Sequence, residues 1–427
     1  MLQLAIIADD LTGALDTGIK FSKMGIRTQV MVGHKFCADE LDLSKEVLVV
    51  DTETRHVPEN EAYARVYKAI KLCIDCNIPC FYKKTDSALR GHIGSEFAAL
   101  YDVVGKQISF VPALPGENRI TREGIHYIKG VPVSESIFGS DPLNPVRNSS
   151  VGKLIEEETR LSTKSVRAKD LTGQPWPKDQ VLIFDASSGD DMEEIAGLLR
   201  KEGHLDVTAG CAGFAEILSS NIPFEREDVR QAPKTDKLFV ISGSINAVTK
   251  KQVEYARQQG YVSISLTQEE KLAGDYLKTR KGKDFLKKLE ACCRENDRII
   301  LDVFSEDTIG DARAYAAASG FSPEEIPERI AKRLGELSQF IVELKEDATL
   351  MIIGGDTLYS FMQKLKKPIL DPVCEPVNGT VSMYVRSDGH NFPLISKSGG
   401  FGQEDLIIET SHYVMKNGGI QNEEELS

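Results

Sequence analysis

The chain has 427 residues, enough for two or three domains, because a single hydrophobic core rarely organises so many. Hydrophobic residues make up 41% and charged residues 27%, the balance of a folded globular protein rather than of a disordered or membrane-spanning chain. The formal net charge of -13 argues against binding to nucleic acid, whose phosphates are held by clustered lysine and arginine. Any anionic ligand must therefore be held by a local cluster of cations.

The first residues carry no basic segment ahead of an apolar stretch, and no apolar run approaches the length that spans a bilayer. We therefore expect a cytoplasmic protein that contacts no membrane. The chain has eight cysteines without a spaced framework, which is typical of reduced thiols. Cys73 and Cys76 lack a second Cys or His pair at zinc spacing, so the sequence predicts no metal cage and leaves the metal ligands unknown.

Short apolar runs alternate with longer amphipathic segments along the first half of the chain. These runs lie at 4–7, 29–32, 47–50, 81–82, 108–111 and 181–184. Continuous apolar strands separated by helices indicate a parallel sheet covered on both faces. Ligands of such sheets bind beyond the carboxyl ends of the strands, so the polar residues that follow each run become candidates.

A charged segment with two prolines and no apolar period, at 222–237, separates the two halves of the chain. After it the alternation resumes, with strand-like runs at 238–241, 262–265, 299–303 and 350–353. Two more apolar runs, 381–385 and 392–395, flank Asp388 and Gly389, a pattern that predicts a hairpin closing the sheet edge.

The fold class predicted from these patterns is α/β, with two open α/β domains. Each domain is expected to have a largely parallel sheet, and the active site is expected in the cleft between the domains. The predicted boundaries are an N-terminal domain at 1–225, a C-terminal domain at 236–416 and a polar tail at 417–427.

Three polar clusters follow apolar runs in the N-terminal half. Asp9 and Asp10 come directly after the first run, where two carboxylates followed by a hydroxyl and a glycine can hold sugar hydroxyls or Mg²⁺. Asp10 can equally cap the helix that follows. Arg55 follows the third run and can offer its planar guanidinium to a substrate carboxylate, although a lone loop arginine is often only solvated.

The densest of the three clusters is the sequence KKTDSALRGH at 83–92. In this cluster Lys84 and Arg90 can fix an anion, while Asp86 can take a proton from a hydroxyl nucleophile. The alternative is a structural ion pair between a lysine and the aspartate.

Three glycine-containing turns in the second half, at 242–246, 354–357 and 397–402, follow strand-like runs. Glycines in strand-to-helix turns let backbone N–H groups approach phosphate oxygens, and the helix dipole favours the negative charge. Three such turns at one sheet edge would cradle a triphosphate, whereas a single one would serve plain loop geometry. The chain lacks both the Walker Gly-x-x-x-x-Gly-Lys-Ser/Thr motif and the Gly-x-Gly-x-x-Gly dinucleotide fingerprint.

Five motifs together resemble the four-carbon acid sugar kinase family. They are ADDLTGA at 8–14, KKTDSALRG at 83–91, DPLNPV at 141–146, GGDT at 354–357 and KSGGFG at 397–402. The resemblance implies an N-terminal substrate domain, a C-terminal nucleotide domain, and ATP with Mg²⁺ as cofactors. It further implies phosphorylation of the terminal hydroxyl of threonate, erythronate or 3-oxo-tetronate. Lys-Thr-Asp-Ser-Ala stands where the family more often has Lys-Ile-Asp-Ser-Thr, which leaves the substrate open between these acids and their D and L forms.

The motifs and the resemblance together give a set of candidate site residues. The expected substrate contacts are Asp10, Arg55, Lys84, Thr85, Asp86, Ser87 and Arg90. The expected ATP contacts are Ser244, Gly354, Gly355, Asp356, Thr357, Gly399 and Gly400. Asp86 is the expected proton acceptor, with Asp10 in reserve.

Two other functions compete with the kinase at this stage. One is a nicotinamide-dependent oxidoreductase of the same acids, which the missing dinucleotide fingerprint disfavours. The other is a non-catalytic sugar-acid sensor in which the same clusters bind a ligand without reaction. The expected partners are a small sugar acid and ATP, with no nucleic acid and no membrane, and a homo-oligomer is compatible with the sequence.

Overall fold

The computed structural model describes residues 1–33, 41–141, 143–304, 308–387 and 389–416. The chain divides into two compact units, Met1–Val229 and Arg230–Ser427. Pro142 of the third motif, Asp388 of the predicted turn and the predicted tail at 417–427 lie outside the described residues.

The first unit is built on a parallel sheet with a small antiparallel sheet beside it. Its strands in chain order are β1 Leu4–Ala8, β2 Thr28–Met31, β3 Val47–Asp51, β4 Cys80–Lys84, β5 Ile108–Val111, β6 Arg119–Arg122, β7 Ile125–Ile128, β8 Val131–Pro132, β9 Thr163–Val166, β10 Val181–Phe184 and β11 Val207–Gly210. The order across the larger sheet is β2-β3-β1-β4-β11-β5-β10-β9, and every one of these pairings is parallel. The remaining strands form the antiparallel sheet β6-β7-β8.

Helices connect the parallel strands of this unit. They are α1 Leu11–Ser22, α2 Glu59–Asp75, α3 Ile93–Val104, α4 Val151–Glu156, α5 Ala168–Leu171, α6 Gly189–Glu202 and α7 Ala212–Asn221. All residues of β1, β3, β5, β10 and β11 are buried, as expected for strands of a parallel sheet that is covered on both faces. The α/β class and the parallel sheet predicted from the apolar runs are therefore confirmed for this unit.

Some elements of the first unit carry no apolar run and were not predicted. β9 has the sequence TKSV with two exposed residues, as an edge strand permits, and β11 has the sequence VTAG with small side chains. β6 has the sequence RITR, in which an arginine stands at each end and only Ile120 is apolar. Their pairing depends on neighbouring strands rather than on their own hydrophobicity.

The second unit has a mixed sheet. Its strands are β12 Lys237–Ser242, β13 Val262–Ser265, β14 Arg298–Asp302, β15 Ala348–Ile353, β16 Ile369–Cys374, β17 Thr380–Ser387 and β18 His390–Lys397. Its helices are α8 Ala247–Gln258, α9 Gln268–Leu272, α10 Arg280–Glu295, α11 Thr308–Ser319, α12 Ile326–Glu343, α13 Gly355–Met362 and α14 Leu406–Val414. The run β13-β14-β12-β15-β18 is parallel, and β17 and β16 continue it with antiparallel pairings.

The predicted hairpin is present as β17 and β18, which pair from Thr380 with Lys397 to Ser387 with His390. Its position at the edge of the unit's sheet was wrong, because β16 pairs with the outer side of β17. β16 contains Pro372 and a register shift, features that hide a strand from sequence patterns. Among the residues described, no helix combines the length and apolarity that a membrane span requires.

Candidate functional site

The polar clusters of the first unit lie at the aligned ends of neighbouring strands. The register pairs Ala8 of β1 with Asp51 of β3 and with Lys84 of β4, so these three strands end side by side. The residues that follow each strand are therefore adjacent at one sheet edge. Asp10 also caps α1, accepting a 2.9 Å hydrogen bond from the Gly13 amide, so the capping role and a place in the cluster are combined.

Arg55 joins the three clusters through its guanidinium. Its Nε donates to Asp9 Oδ2 at 2.7 Å, and its Nη1 donates to Asp10 Oδ2 at 2.7 Å. Its Nη2 lies 3.9 Å from Asp86 Oδ1. Burial alone raises the pKa of Asp9, but Arg55 and Lys84 outweigh it and the pKa of Asp9 lies below its usual value. Arg55 thus lies within ion-pair distance of three carboxylates, those of Asp9, Asp10 and Asp86.

Asp86 is held by a second arginine. Arg90 forms a fork with it, Nε to Oδ2 at 2.8 Å and Nη2 to Oδ1 at 3.1 Å, and the Ala88 amide donates to Oδ2 at 3.2 Å. Burial raises the pKa of Asp86, yet Arg55 and Arg90 reverse this and hold the pKa well below its usual range. Asp86 is therefore a firmly anchored anion.

Lys84 has no such carboxylate partner. Its ammonium donates to the Thr85 carbonyl at 2.7 Å, and no carboxylate of the described residues lies within ion-pair distance of it. The side chain is only 5% exposed. A Cβ built on Gly13 would lie 2.9 Å from Lys84 Nζ, which places this ammonium at the start of α1.

Two buried oxygen atoms near this cluster also lack partners. In the described part of the chain, neither Asp9 Oδ1 nor Thr85 Oγ1 accepts or donates a hydrogen bond. Buried polar atoms are normally paired, so unpaired ones mark positions where a ligand atom or water belongs. The site therefore has polar groups to offer a ligand rich in hydroxyls.

Glu53 belongs to this cluster and was not predicted as a site residue. Its Oε1 accepts a 3.1 Å hydrogen bond from the Leu11 amide, and its backbone has a φ of 47°, in the left-handed region. Burial, followed by the nearby Asp10 carboxylate, raises the pKa of Glu53 to about 7. A glutamate in a loop gives no sequence signal for such a shift, because the neighbours that cause it come from another strand end.

A buried ion pair between β4 and α3 lies next to the cluster. Lys83 Nζ lies 2.9 Å from Glu96 Oε2, and Thr54 donates a short hydrogen bond to the same carboxylate. Burial raises the pKa of Glu96, although Lys83 opposes the shift. Lys83 directly precedes the predicted site residue Lys84. Its partner Glu96, on α3, could not be identified from sequence spacing.

The antiparallel sheet contributes residues around Ser87. Arg119 Nη1 donates to Ser87 Oγ at 2.5 Å, and His126 Nε2 lies 3.0 Å from the Ser87 carbonyl. Arg119 and Arg90 both lie against the ring of Phe138, at 5.3 and 5.2 Å from its centroid. The sequence analysis missed Arg119 and His126 because the strands that carry them were not predicted.

The glycine turns of the second unit also converge. The register pairs Ser242 with Ile353 and Ile353 with Lys397, so β12, β15 and β18 end side by side. The turns that follow them contain the predicted residues Ser244, Gly354, Gly355, Asp356, Thr357, Gly399 and Gly400. The structure thus brings the three turns to one sheet edge.

Contacts between the turns are close. Thr249 Oγ1 on α8 donates to the Gly399 carbonyl at 2.7 Å and to Ser244 Oγ at 3.2 Å. A Cβ on Gly399 would lie 2.3 Å from Ser244 Oγ, so glycine is required at this position. Gly354 has a φ of 116°, which only glycine adopts readily, and its amide donates to the Lys397 carbonyl at 3.1 Å.

The other predicted residues of the turns surround the start of α13. Gly355 and Asp356 form its first turn, Thr357 is buried, and Asp356 is exposed. A Cβ on Gly400 would lie 3.7 Å from the side-chain amide of Asn246, which caps α8. Two helices therefore begin at this edge, and each presents backbone N–H groups there.

Lys397 is a buried cation among these turns. Its ammonium donates to the Ser398 carbonyl at 2.9 Å and to the Gly399 carbonyl at 3.4 Å. The residue is 3% exposed, and no carboxylate of the described chain pairs with it. Burial lowers the pKa of Lys397 to about 8. The motif was quoted in the sequence analysis, but the lysine itself was not predicted as a ligand contact.

Comparison with known proteins gives consistent results along the chain. The sugar-binding N-terminal domain model matches residues 4–218, and the nucleotide-binding C-terminal domain model matches residues 239–407. A D-threonate kinase of Salmonella typhimurium is 26% identical over 444 residues, which cover 97% of this chain and 98% of that protein. A D-erythronate kinase of Heliobacterium modesticaldum is 26% identical over 459 residues, with 99% of both chains covered.

A crystal structure of a Salmonella typhimurium protein superposes with a TM-score of 0.79 and 18% identity, covering 96% of this chain and 98% of that one. At this identity the likeness concerns the fold alone, and it agrees with two α/β units. The two domain models together account for most of the chain and match it in the order that the motifs indicated. The chain belongs to the four-carbon acid sugar kinase family.

Proposed function

We propose that this chain is an ATP-dependent kinase that transfers a phosphoryl group to the terminal hydroxyl of a four-carbon sugar acid. The proposal rests on one observation: in each family domain, polar residues gather at the aligned ends of neighbouring strands. In the first unit, carboxylates and cations lie near two buried oxygen atoms, Asp9 Oδ1 and Thr85 Oγ1, that have no hydrogen-bond partner among the described residues. The second gathers three glycine turns and an unpaired lysine. This chemistry fits a polyhydroxy acid and a nucleotide.

In the second unit, we assign the phosphates of ATP to the edge formed by the three turns. The first turns of α8 and α13 offer backbone N–H groups and the positive ends of two helix dipoles. Lys397 adds a full positive charge that has no carboxylate to neutralise it among the described residues. The phosphates would supply the missing negative charge. Ser244 and Thr357 add hydroxyl groups to the same edge.

Mg²⁺ is the metal that we expect with ATP. Mg²⁺ prefers oxygen ligands and usually keeps several waters while binding substrate phosphates and one or two carboxylates. The exposed carboxylate of Asp356, on the first turn of α13, fits this preference. Among the described residues, no group of three His, Cys, Asp or Glu could hold a metal ion. When bound, the ion neutralises charge on the phosphates.

In the first unit, we assign the hydroxyls of the sugar acid to Asp10, Ser87 and the unpaired Thr85 hydroxyl. Asp86 and Asp10 remain our candidates for the carboxylate that accepts the hydroxyl proton. The Arg90 fork and the lowered pKa suit Asp86 to orienting the substrate, because both its oxygens are already occupied. Asp10 is more exposed, with 22% of its side chain accessible, and is the better placed acceptor.

The competing functions differ from the kinase in a measurable way. A sensor would bind the acid without consuming ATP, and an oxidoreductase would require a nicotinamide cofactor. We place the kinase in the cytoplasm because its second substrate is ATP. A homo-oligomer, a substrate site in the cleft between the domains and the identity of the acid all stay predictions.

The test is an ADP-release assay with Mg-ATP against D- and L-threonate, D- and L-erythronate and 3-oxo-tetronates. The proposal expects ADP release that depends on at least one of these acids. Release on one acid alone also identifies the substrate, because the acids of the panel differ in the configuration or oxidation state of their inner carbon atoms. A folded sample that binds ATP but releases no ADP with any acid in the panel would contradict the proposal.

A further inference from the structure

The three arginines around the loop at 84–90 differ in what their guanidinium groups contact. Arg55 is held by three carboxylates. Arg90 is held by two, Asp86 and Asp141. Arg119, the first residue of β6, has no carboxylate within ion-pair distance among the described residues. Its hydrogen bond goes to the neutral hydroxyl of Ser87.

The surroundings of Arg119 keep its charge uncompensated. Its guanidinium lies against the Phe138 ring, and His126 of the same sheet contacts the carbonyl of Ser87, whose hydroxyl Arg119 binds. Burial lowers the pKa of His126 to about 4, so its imidazole is neutral near pH 7 and does not attract an anion itself. Arg119 is therefore a partly buried guanidinium beside Ser87 that has no carboxylate partner among the described residues.

A carboxylate is the group that best completes this arrangement. A guanidinium offers parallel N–H groups that match the two oxygens of a carboxylate, and such charge-assisted pairs are about twice as strong as neutral hydrogen bonds. Arg55 cannot serve this purpose without giving up its hydrogen bond to Asp9 or to Asp10. Arg119 can accept an anion without breaking an ion pair of the protein.

We propose that Arg119 binds the carboxylate of the sugar acid and so determines the preference for acids over neutral polyols. This inference rests on the proposed kinase function. Arg55 then acts as a positioning residue for the carboxylates of the site. Lys84, whose ammonium lies at the start of α1 beside Asp10, is left for the reacting end of the substrate.

The experiment compares Arg119→Gln with Arg122→Gln, an exposed arginine on the same strand, using the acid that the panel identifies. For Arg119→Gln we expect the KM for the acid to rise by about 10- to 100-fold, the loss expected for one charged hydrogen-bonding partner. The KM for ATP should stay within about threefold. Arg122→Gln should leave both KM values unchanged.

A second readout separates recognition of the carboxylate from a structural role. The neutral alditol of the same chain length is used as a competitor of the acid, with binding measured by calorimetry. In the wild type the acid should bind far more tightly than the alditol, and in Arg119→Gln this preference should fall to within about threefold. If Arg119→Gln weakens acid and alditol equally, or keeps the wild-type preference, the inference is wrong.

Circular dichroism verifies that the variants are folded. Should Arg119→Gln fail to fold, Arg119→Lys decides the question, because it keeps the charge but loses the planar fork. A raised KM for the acid with kcat retained supports the inference, and an unchanged KM overturns it. Failure of the wild type to phosphorylate any acid would instead contradict the proposed function, so the two failures are distinguishable.

Discussion

At the scale of single residues, two features are unusual: a buried cation that has no carboxylate partner among the described residues, and a buried carboxylate that lies close to other carboxylates. Lys397 is a buried cation without a carboxylate partner in the described chain, and Glu53 is a carboxylate surrounded by others. Both conditions cost folding free energy, since burial disfavours an unpaired charge and like charges repel. A buried charge without a partner is tolerated where a ligand supplies that partner. Replacing Lys397 or Glu53 therefore tests the role that we assign to its charge.

The variant Lys397→Met tests the phosphate assignment. Methionine keeps the approximate length of the side chain and removes the charge, so we expect the KM for ATP to rise by about 10- to 100-fold, while the KM for the acid stays within about threefold. Thermal stability should be retained or increased, because an unpaired buried charge is lost. Lys278→Met, at a lysine whose side chain is 84% exposed in the same unit, is the control. An unchanged KM for ATP in Lys397→Met would refute the assignment.

Replacement of Glu53 by glutamine tests the raised pKa. The folded-state pKa of Glu53 is about 7, above its ordinary value of 4.5, so the stability contributed by this carboxyl is complete below pH 4.5 and is lost as the pH rises through 7. Glu53→Gln does not titrate. Relative to the wild type it should gain up to about 3 kcal/mol in free energy of unfolding between pH 4.5 and about pH 8.

Urea unfolding at about pH 5 and about pH 8 measures this difference. The exposed Glu193 on α6 supplies the control, since Glu193→Gln should show the same difference from the wild type at both pH values. If the gain of Glu53→Gln is equally independent of pH, the carboxyl of Glu53 has no raised pKa in the folded protein.

At the scale of elements, the beginnings of helices form the site. α1 begins with the cap of Asp10 and carries Gly13 in its first turn, against the side chain of Lys84. α8 and α13 begin at the glycine turns of the second unit. Gly13 is small enough for this position, where the Asp10 carboxylate and the Lys84 ammonium would crowd a Cβ.

Gly13→Ala tests this crowding. Alanine in a helix is favoured over glycine by about 1 kcal/mol, but the new Cβ would lie 2.5 Å from Asp10 Oδ1 and 2.9 Å from Lys84 Nζ. We expect kcat/KM to fall by about tenfold or more without a gain in unfolding temperature. Gly197→Ala on α6, where nothing lies within 4 Å of the added atom, should instead be stabilising with normal activity. Normal kcat/KM in Gly13→Ala would show that the site tolerates the added methyl group.

The sequence predicted the elements that carry continuous apolar runs, because a covered parallel sheet imposes that pattern on its strands. It did not predict β6 or β11, whose residues are charged or small and are placed by their neighbours. The same limit applies to the site. Asp10 and Arg55 follow apolar strands and were predicted as candidates, and the structure places them in contact, whereas Arg119 lies on a strand that has no apolar pattern.

At the scale of the whole molecule, the two family domains divide the chemistry between a sugar-binding and a nucleotide-binding unit. Each unit has its own run of parallel strands, and polar groups gather at the aligned ends of those strands. Phosphoryl transfer depends chiefly on positioning the two substrates and on neutralising the charge of the phosphates. One unit for each substrate suits this requirement.

Removal of divalent metal should therefore stop the reaction without unfolding the chain. With excess EDTA we expect ADP release to cease and to return when Mg²⁺ is added, because the ion accompanies the phosphates. The unfolding temperature without ATP should change by less than about 1 °C, since we expect no metal to stabilise the folded state. EDTA that is saturated with Mg²⁺ is the control. A large fall in unfolding temperature with EDTA alone would reveal a structural metal.

The proposed kinase transfers the phosphoryl group of ATP to the terminal hydroxyl of a sugar acid. The most direct test of this transfer is ³¹P and ¹H NMR of the reaction mixture with the acid that supports ADP release. We expect a new phosphate monoester resonance that is coupled to the protons of the terminal carbon and grows in step with ADP. Formation of ADP with inorganic phosphate alone, or of a phosphate on the carboxylate or on an internal hydroxyl, would contradict the proposal.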